Sequence, residues 1–306
     1  MLGILNGVAS EFPAREKSRN LVAQFQFAKR EGAFKTLRMT LGFIGCGRMA
    51  SALVEGVVKA GVFEAADIFA SDRYDTAANA LKEKTGVRIC ATNREVAEAA
   101  ETLLLCVKPT DVPGALREIA GDKSQLIISI AAGITLEALQ EHAGQGTRVV
   151  RVMPNTPALI HQGAAAYALG QNATKADAVL TEKIFAAVGT VAPVPEAMLD
   201  AVTGLSGSGP AYIYVVIEAL ADAGVAMGLP RELALQLAAQ TTAGAAGMVL
   251  QTKAQPAELK DMVASPGGTT VAGLEALENA GVRSAILSAV RAATERSREL
   301  GAGKKS

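Results

Sequence analysis

"TLGFIGCGRMASALVEGVVKAG" (residues 40–61) changes its periodicity halfway along. Leu41 to Ile44 is a short apolar run of strand length. From Arg48 onward Met49, Leu53 and Val57 recur every four residues, on one face of a helix. Between the two lies Gly45-x-Gly47-x-x-Ala50. A glycine at 45 permits a tight turn, and the bare backbone at 47 lets a pyrophosphate approach. The small Ala50 lets the helix settle on the sheet with its N-terminus aimed at the phosphates. Strand, glycine turn and helix in this order open a dinucleotide-binding α/β domain.

The pattern continues downstream. ADIFASD (66–72), VRICAT (87–92), TLLLCV (102–107), QLIISIAAG (125–133) and TRVVRVMPN (147–155) read as strands. TAANALKEKTG (76–86) and NREVAEAA (93–100), opened by Asn93, read as helices between them. Strands that are apolar on both faces, alternating with helices, give a doubly wound, mostly parallel Rossmann-type sheet covered on both sides. AAAYAL (164–169) and TVAPVP (190–195) add edge strands. Strand signals stop near Pro195, and helices are expected over about 207–227, 230–252, 256–263, 269–279 and 282–300. The segment AAQTTAGAAGM (238–248) places small residues at helical spacing, which allows close helix approach. A small domain of such helices can hardly bury itself alone, so an intertwined homodimer is expected, with a higher oligomer built from dimers as an extension of it.

The chain of 306 residues exceeds what one core usually serves. Its reading divides it into an N-terminal extension without stable order (1–39), a dinucleotide-binding domain (40–195) and an all-helical substrate and dimerisation domain (196–306). Half the residues are hydrophobic and the formal net charge is zero, which gives no support to a nucleic-acid partner. Residues 1–39 carry seven Lys/Arg against Glu11, Glu16 and Glu31, a surplus of +4. Three glutamates and the lack of a secretory apolar region favour an upstream extension over a targeting segment. Cys46, Cys90 and Cys106 are odd in number, form no CxxC pair and lie beside apolar strands, so reduced thiols and a cytoplasmic location are expected. With only His142 and His161 besides, a zinc site lacks ligands. No membrane span is expected, because the best apolar run, 211–229, is interrupted by Glu218 and Asp222.

The second strand ends Ser71-Asp72-Arg73. Asp72 suits the ribose hydroxyls of NADH, while Ser71 and Arg73 suit the 2′-phosphate of NADPH. The reading favours NADPH, with NADH the alternative. The segments 106–109, 131–133 and 153–157 all follow carboxyl ends of parallel strands, where ligands of open α/β sheets bind. Ordinary acid–base groups are scarce: neither histidine sits in a recognisable motif. Reducing an imine demands less than reducing a carbonyl, because the more basic nitrogen can carry its proton beforehand. A hydroxyl or a water then suffices.

GFIGCGRMASAL, VKP, RVMPNTPA, TGLSGSGPAY and LKDMVASPGGTT occur in this order over residues 40–300. In this the chain resembles the pyrroline-5-carboxylate reductase family. The resemblance implies reduction of the small molecule 1-pyrroline-5-carboxylate to L-proline, the last step of proline biosynthesis, by NADPH or NADH. It also implies a Rossmann domain and a helical domain that dimerises by interleaving. Carried over by position, Gly45, Gly47, Met49 and Ala50 match the pyrophosphate loop, and Asn93 a ribose contact. Val107, Lys108, Pro109, Ala131 and Gly133 match segments beside the cofactor. In SPGGTT, the amides of Gly267, Gly268 and Thr269 would hold the substrate carboxylate, Ser265 would support the loop, and Thr270 would place its hydroxyl near the ring nitrogen. Successive backbone N–H groups at a helix start supply donors without bulk, which a carboxylate needs.

Two rival readings fit the sequence less well. A hydroxyacid dehydrogenase of the 3-hydroxyisobutyrate type shares the architecture and the glycines Gly204, Gly207 and Gly209. Its catalytic Lys and Asn positions are Ile213 and Val216 here, and an apolar pair cannot protonate an alkoxide. A non-catalytic cofactor sensor or scaffold conflicts with the intact substrate loop.

Overall fold

A computed structural model describes residues 39–120, 125–144 and 146–302. The expectation for the extension 1–39 falls outside these residues, Met39 excepted. Strands β1 (Leu41–Ile44), β2 (Ile68–Ser71), β3 (Arg88–Ile89), β4 (Thr102–Leu105), β5 (Leu126–Ser129), β6 (Arg148–Met153), β7 (Gly163–Leu169) and β8 (Gly189–Pro193) form one sheet. Its order is β3-β2-β1-β4-β5-β6-β7-β8. The first six strands are parallel. β7 runs antiparallel to β6, and β8 is parallel to β7. Thus AAAYAL is not an edge strand: β8 forms that edge. VRICAT yields only a two-residue strand at the other.

Helices α1 (Arg48–Lys59), α2 (Asp75–Thr85), α3 (Asn93–Ala99), α4 (Val112–Ile119), α5 (Leu136–Ala143) and α6 (Lys175–Ala186) cover the sheet. Alternation along the strands sorts the core into two layers. Phe43, Ile68, Leu104, Ile128 and Val150 pack with Leu53 and Val54 of α1, Leu81 of α2 and Phe185 of α6. Ile44, Leu103, Leu105, Ile127 and Val149 pack with Val96 of α3, Leu116 of α4 and Leu139 of α5. Both faces are buried, which is why β1, β4 and β5 read as unbroken apolar runs.

The helical segment begins earlier than its sequence suggests. Helix α7 (Leu199–Val202) passes through a π-helical turn, Thr203–Gly207, into α8 (Gly209–Ala226). It continues as α9 (Arg231–Thr252), α10 (Pro256–Val263), α11 (Thr269–Asn279) and α12 (Val282–Gly301). Helix α12 folds back over the π turn. A Cβ on Gly204 would stand 2.2 Å from Thr294 Oγ1 and 2.7 Å from the Val290 carbonyl, so α12 approaches there only because residue 204 has no side chain. Tyr212 Oη donates to the Gly204 carbonyl (3.2 Å), and Ser297 Oγ donates to Asp200 Oδ1 (2.7 Å).

Helices α8 and α9 touch through small residues, with Ala221, Ala234 and Ala238 as the only fully buried apolar groups of that contact. The large apolar side chains point outward instead. Met227, at the C-cap of α8, is 83% exposed, Leu250 of α9 74% and Val215 of α8 64%. Exposure on this scale marks an interaction surface. Among the described residues, Glu196–Ala226 and Arg231–Thr252 are long and apolar enough to cross a membrane by length and composition. Glu218 and Asp222, which interrupt the apolar run 211–229, leave the helix that carries them apolar enough to pass on length and composition alone.

Candidate active site

The order of the sheet reverses at β1, whose neighbours β2 and β4 lead to opposite edges, and the glycine turn emerges at that switch point. Gly45 adopts φ +99°, a conformation costly for any side chain, and its N–H donates to the Ser71 carbonyl at 2.8 Å. A Cβ at this position would stand 2.8 Å from the Cys106 carbonyl. The turn is therefore wedged between the ends of β2 and β4.

Gly47 is the N-cap of α1. No side chain caps the helix there, and no acidic residue stands in its first turn. A Cβ on Gly47 would meet nothing within 4 Å. The first-turn amides of α1, which have no intrahelical acceptors, thus face open space at the positive end of the helix dipole. This fits the pyrophosphate of a dinucleotide. Met49 and Ala50 lie in the first turn, Ala50 fully buried against the sheet, and Arg48 is exposed at its first position.

Around the turn the polar groups are tied together. Asp72 Oδ2 accepts the Cys46 N–H at 2.6 Å and Oδ1 accepts the Tyr74 N–H at 2.8 Å. Ser71 Oγ donates to Asn93 Oδ1 at 2.7 Å, and Asn93 Nδ2 donates to Glu118 Oε2 at 2.5 Å. The cap of α3 is Thr92, whose Oγ1 accepts the Glu95 N–H at 3.2 Å. Asn93 is therefore the first helical residue rather than the cap, and its carboxamide bridges Ser71 at the end of β2 and Glu118 of α4. Arg73 Nη2 lies 3.6 Å from Asp111 Oδ1. Val107 flanks Gly45, its Cγ1 3.1 Å from the place a Cβ would take. Lys108 is exposed and precedes the 3-10 turn Pro109–Asp111. Past β5, Ala131 is buried, and Gly133 (φ +74°) backs onto Leu300 near the end of α12.

Burial, reinforced by the Asp72 carboxylate, pushes the Cys46 thiol up to about 12. Burial and the neighbouring Cys46 raise Cys106 as well. Neither is a nucleophile at neutral pH. Among the described residues no group of His, Cys, Asp and Glu could hold a metal ion.

The SPGGTT loop joins α10 to α11. The Gly268 N–H donates to the Ser265 carbonyl at 2.9 Å, closing a turn with Pro266 and Gly267 at its centre, and Gly267 adopts φ +68°. That is the conformation a type II turn requires of its third residue. A Cβ on Gly268 would stand 2.3 Å from Ser265 Oγ. Turn geometry therefore accounts for Gly267, packing of the Ser265 side chain for Gly268, and the Gly268 amide, expected among the anion donors, is engaged in the turn. What turn geometry does not account for is the helix start. Gly268 is the N-cap of α11 and no side chain caps it. Thr269 and Thr270 occupy the first two helical positions, with amides lacking intrahelical acceptors. Among the described residues, no hydrogen bond or ion pair joins 265–270 to the sheet domain.

Glu118 and Asp111 carry no sequence signal, and Asn155 is marked only by the segment 153–157. Asn155 Nδ2 donates to the Ser206 carbonyl at 3.0 Å, and its Oδ1 accepts the Ala164 N–H at 2.8 Å. Each of the three meets its partner across intervening elements, so no local spacing marks it.

Residues 196–300 match the family model described as pyrroline-5-carboxylate reductase dimerisation, and residues 40–133 match NADP oxidoreductase coenzyme F420-dependent. The chain is 48% identical to a pyrroline-5-carboxylate reductase of Methanosarcina acetivorans over 85% of this chain and 97% of that protein. It is 46% identical to one of Glycine max, over 85% and 96%. Among solved structures, a pyrroline-5-carboxylate reductase of Coxiella burnetii superposes with a TM-score of 0.81 at 36% identity, covering 86% of this chain and 98% of that one. A pyrroline carboxylate reductase of Plasmodium falciparum with NADP bound gives 0.78 at 35% identity, over 86% and 98%.

Proposed function

The chain belongs to the pyrroline-5-carboxylate reductase family, and on that premise we propose that it reduces 1-pyrroline-5-carboxylate to L-proline with NADPH or NADH, the last step of proline biosynthesis. The observation that carries the reading is the uncapped start of α11 behind the Pro266–Gly267 turn, in a chain whose glycine turn fits a dinucleotide.

A dinucleotide held there would supply the hydride for the imine carbon. Gly45, Gly47 and the first turn of α1 hold its pyrophosphate. Ser71, Asp72, Arg73 and Asn93 border the adenosine ribose. Val107, Lys108, Pro109, Ala131 and Gly133 form the wall along β4 and β5. The amides of Gly267, Thr269 and Thr270 hold the substrate carboxylate, aided by the α11 dipole. Gly268 contributes its missing side chain rather than its amide, since Ser265 fills that space. The Thr270 hydroxyl stands at the ring nitrogen, where the amine proton must be present when the C=N bond becomes C–N. Little acid catalysis is required, because the imine nitrogen is basic enough to arrive protonated.

Residues 40–195 form the proposed dinucleotide part and 196–306 the proposed part that holds substrate and partner. The exposed leucines and methionines of α8 and α9 lie within the matched dimerisation segment, so a second copy covers them. In the dimer the SPGGTT loop faces the partner's glycine turn, which would complete a site that one chain leaves in two halves. A higher oligomer would be built from such dimers. A cytosolic location is supported by three cysteines that are all free thiols.

The test follows absorbance of NADPH and of NADH with purified protein and pyrroline-5-carboxylate. Oxidation of either supports the proposal. Dinucleotide binding without oxidation of either would favour the sensor reading.

A further inference from the structure

We propose that Asp111 sets the preference between NADPH and NADH by competing with the 2′-phosphate for Arg73. The proposal rests on the reading of the glycine turn as a dinucleotide site.

In such a site the adenosine ribose lies beyond the end of β2, where an acidic residue takes the ribose hydroxyls or a cation takes the 2′-phosphate. Asp72 stands at this place, but it is committed inward. Each carboxylate oxygen already accepts a backbone N–H, from Cys46 at 2.6 Å and from Tyr74 at 2.8 Å. Discrimination therefore passes to the next residue. The Arg73 side chain is 71% exposed and the carboxylate facing it is Asp111, at 3.6 Å.

Asp111 is placed unusually for its type. It is the N-cap residue of α4, a position where aspartate ordinarily accepts an N–H from the first turn, yet it makes no side-chain cap bond. The 3-10 turn runs directly into α4, so Asp111 has helical backbone angles. Its carboxylate instead reaches the loop after β2. The pair thus spans the crevice mouth between the ends of β2 and β4, the two strands that flank β1 at the switch point.

An exposed pair of this kind is held weakly, so a phosphate can draw Arg73 away. The carboxylate stays behind. A phosphate monoester brings between one and two negative charges. Placed on Arg73, it would lie well within a Debye length of Asp111, about 10 Å at 0.1 M salt, and be repelled by it. A ligand with free ribose hydroxyls meets no such repulsion. Asp111 thus lowers affinity for the phosphorylated dinucleotide selectively.

The experiment is calorimetric titration of the full-length protein at low ionic strength, with adenosine 2′,5′-bisphosphate and adenosine 5′-monophosphate as probes. Asp111→Asn is expected to tighten the bisphosphate about threefold and leave the monophosphate unchanged, with the gain fading as salt is added. Arg73→Ala is expected to weaken the bisphosphate alone. Bisphosphate binding that is unchanged or weaker in Asp111→Asn, or an equal shift for both probes, would overturn the proposal while leaving the dinucleotide site standing. Binding of neither probe to the wild-type protein would overturn the dinucleotide reading, and this proposal with it.

Discussion

Asn155 joins the end of β6 to the π-helical turn: its Nδ2 donates to the Ser206 carbonyl at 3.0 Å while its Oδ1 accepts the Ala164 N–H at 2.8 Å. The residue is 9% exposed, and removing its side chain leaves two backbone groups of half-buried residues without their partner. At about 1–3 kcal/mol for each group, Asn155→Ala is expected to lose about 2–4 kcal/mol of stability. Denaturant unfolding measures it. A loss below about 0.5 kcal/mol would show that water replaces the carboxamide.

A second tie crosses the same boundary. Glu196 Oε1 accepts the Leu136 N–H at 2.6 Å and an Arg151 guanidinium N–H at 3.0 Å. The Arg151 side chain is 7% exposed, so Glu196→Ala leaves a buried charge unpaired. Partial exposure of Glu196 tempers the cost, expected at about 2–3 kcal/mol. Lys84→Ala, which breaks the more exposed Lys84–Glu55 pair, should cost under about 1 kcal/mol. Equal losses in the two variants would contradict this ranking.

The raised thiol of Cys46 gives stability a definite pH slope. In the unfolded chain the thiol ionises near its ordinary value of 9.0, whereas in the folded protein it holds its proton up to about 12. Between these values the unfolded state binds fewer protons, so stability falls as pH rises. Its contribution is complete below pH 9 and is lost on the way to pH 12. Melting temperatures at pH 8 to 11 should therefore fall more steeply for the wild type than for Cys46→Ala. Parallel curves would assign the alkaline loss to other groups.

In the substrate loop, Thr270→Val removes the hydroxyl and keeps the shape. If the hydroxyl acts at the ring nitrogen, kcat falls about tenfold or more with little change in KM for the imine. Gly267→Ala forces a side chain into φ +68°. It should raise that KM by distorting the row of amides. Wild-type rates in Thr270→Val would leave the proton to the imine itself or to water.

The elements most legible in the sequence were those whose signals are local. The run Gly45-x-Gly47-x-x-Ala50 marked its turn through Gly45, whose φ of +99° and close approach to the Cys106 carbonyl only glycine tolerates. Helices 256–263 and 269–279 were read to the residue, because Pro256 opens one and the Pro266–Gly267 turn separates the two. The start at Leu199 was hidden because Thr203–Gly207 bonds as a π turn and its glycines resemble a loop. The apparent strand at 87–92 shrank to two residues because only Phe69 and Ala70 of β2 pair with it. In the site, the glycine turn was legible, but Asp111 beside Arg73 was not. Two side chains from separate βα units meet only once the sheet order is fixed. Of the two glycines of SPGGTT, read from sequence as bare anion donors, Gly267 is required by the turn itself, and Gly268 leaves its space to the Ser265 side chain. That moves the weight of the binding argument to the uncapped α11 behind them.

The most direct test of the account is the stoichiometry of the purified protein acting on pyrroline-5-carboxylate. We predict one L-proline formed for each NADPH or NADH oxidised. Dinucleotide oxidation without proline, or tight dinucleotide binding with the imine left unconsumed, would contradict it.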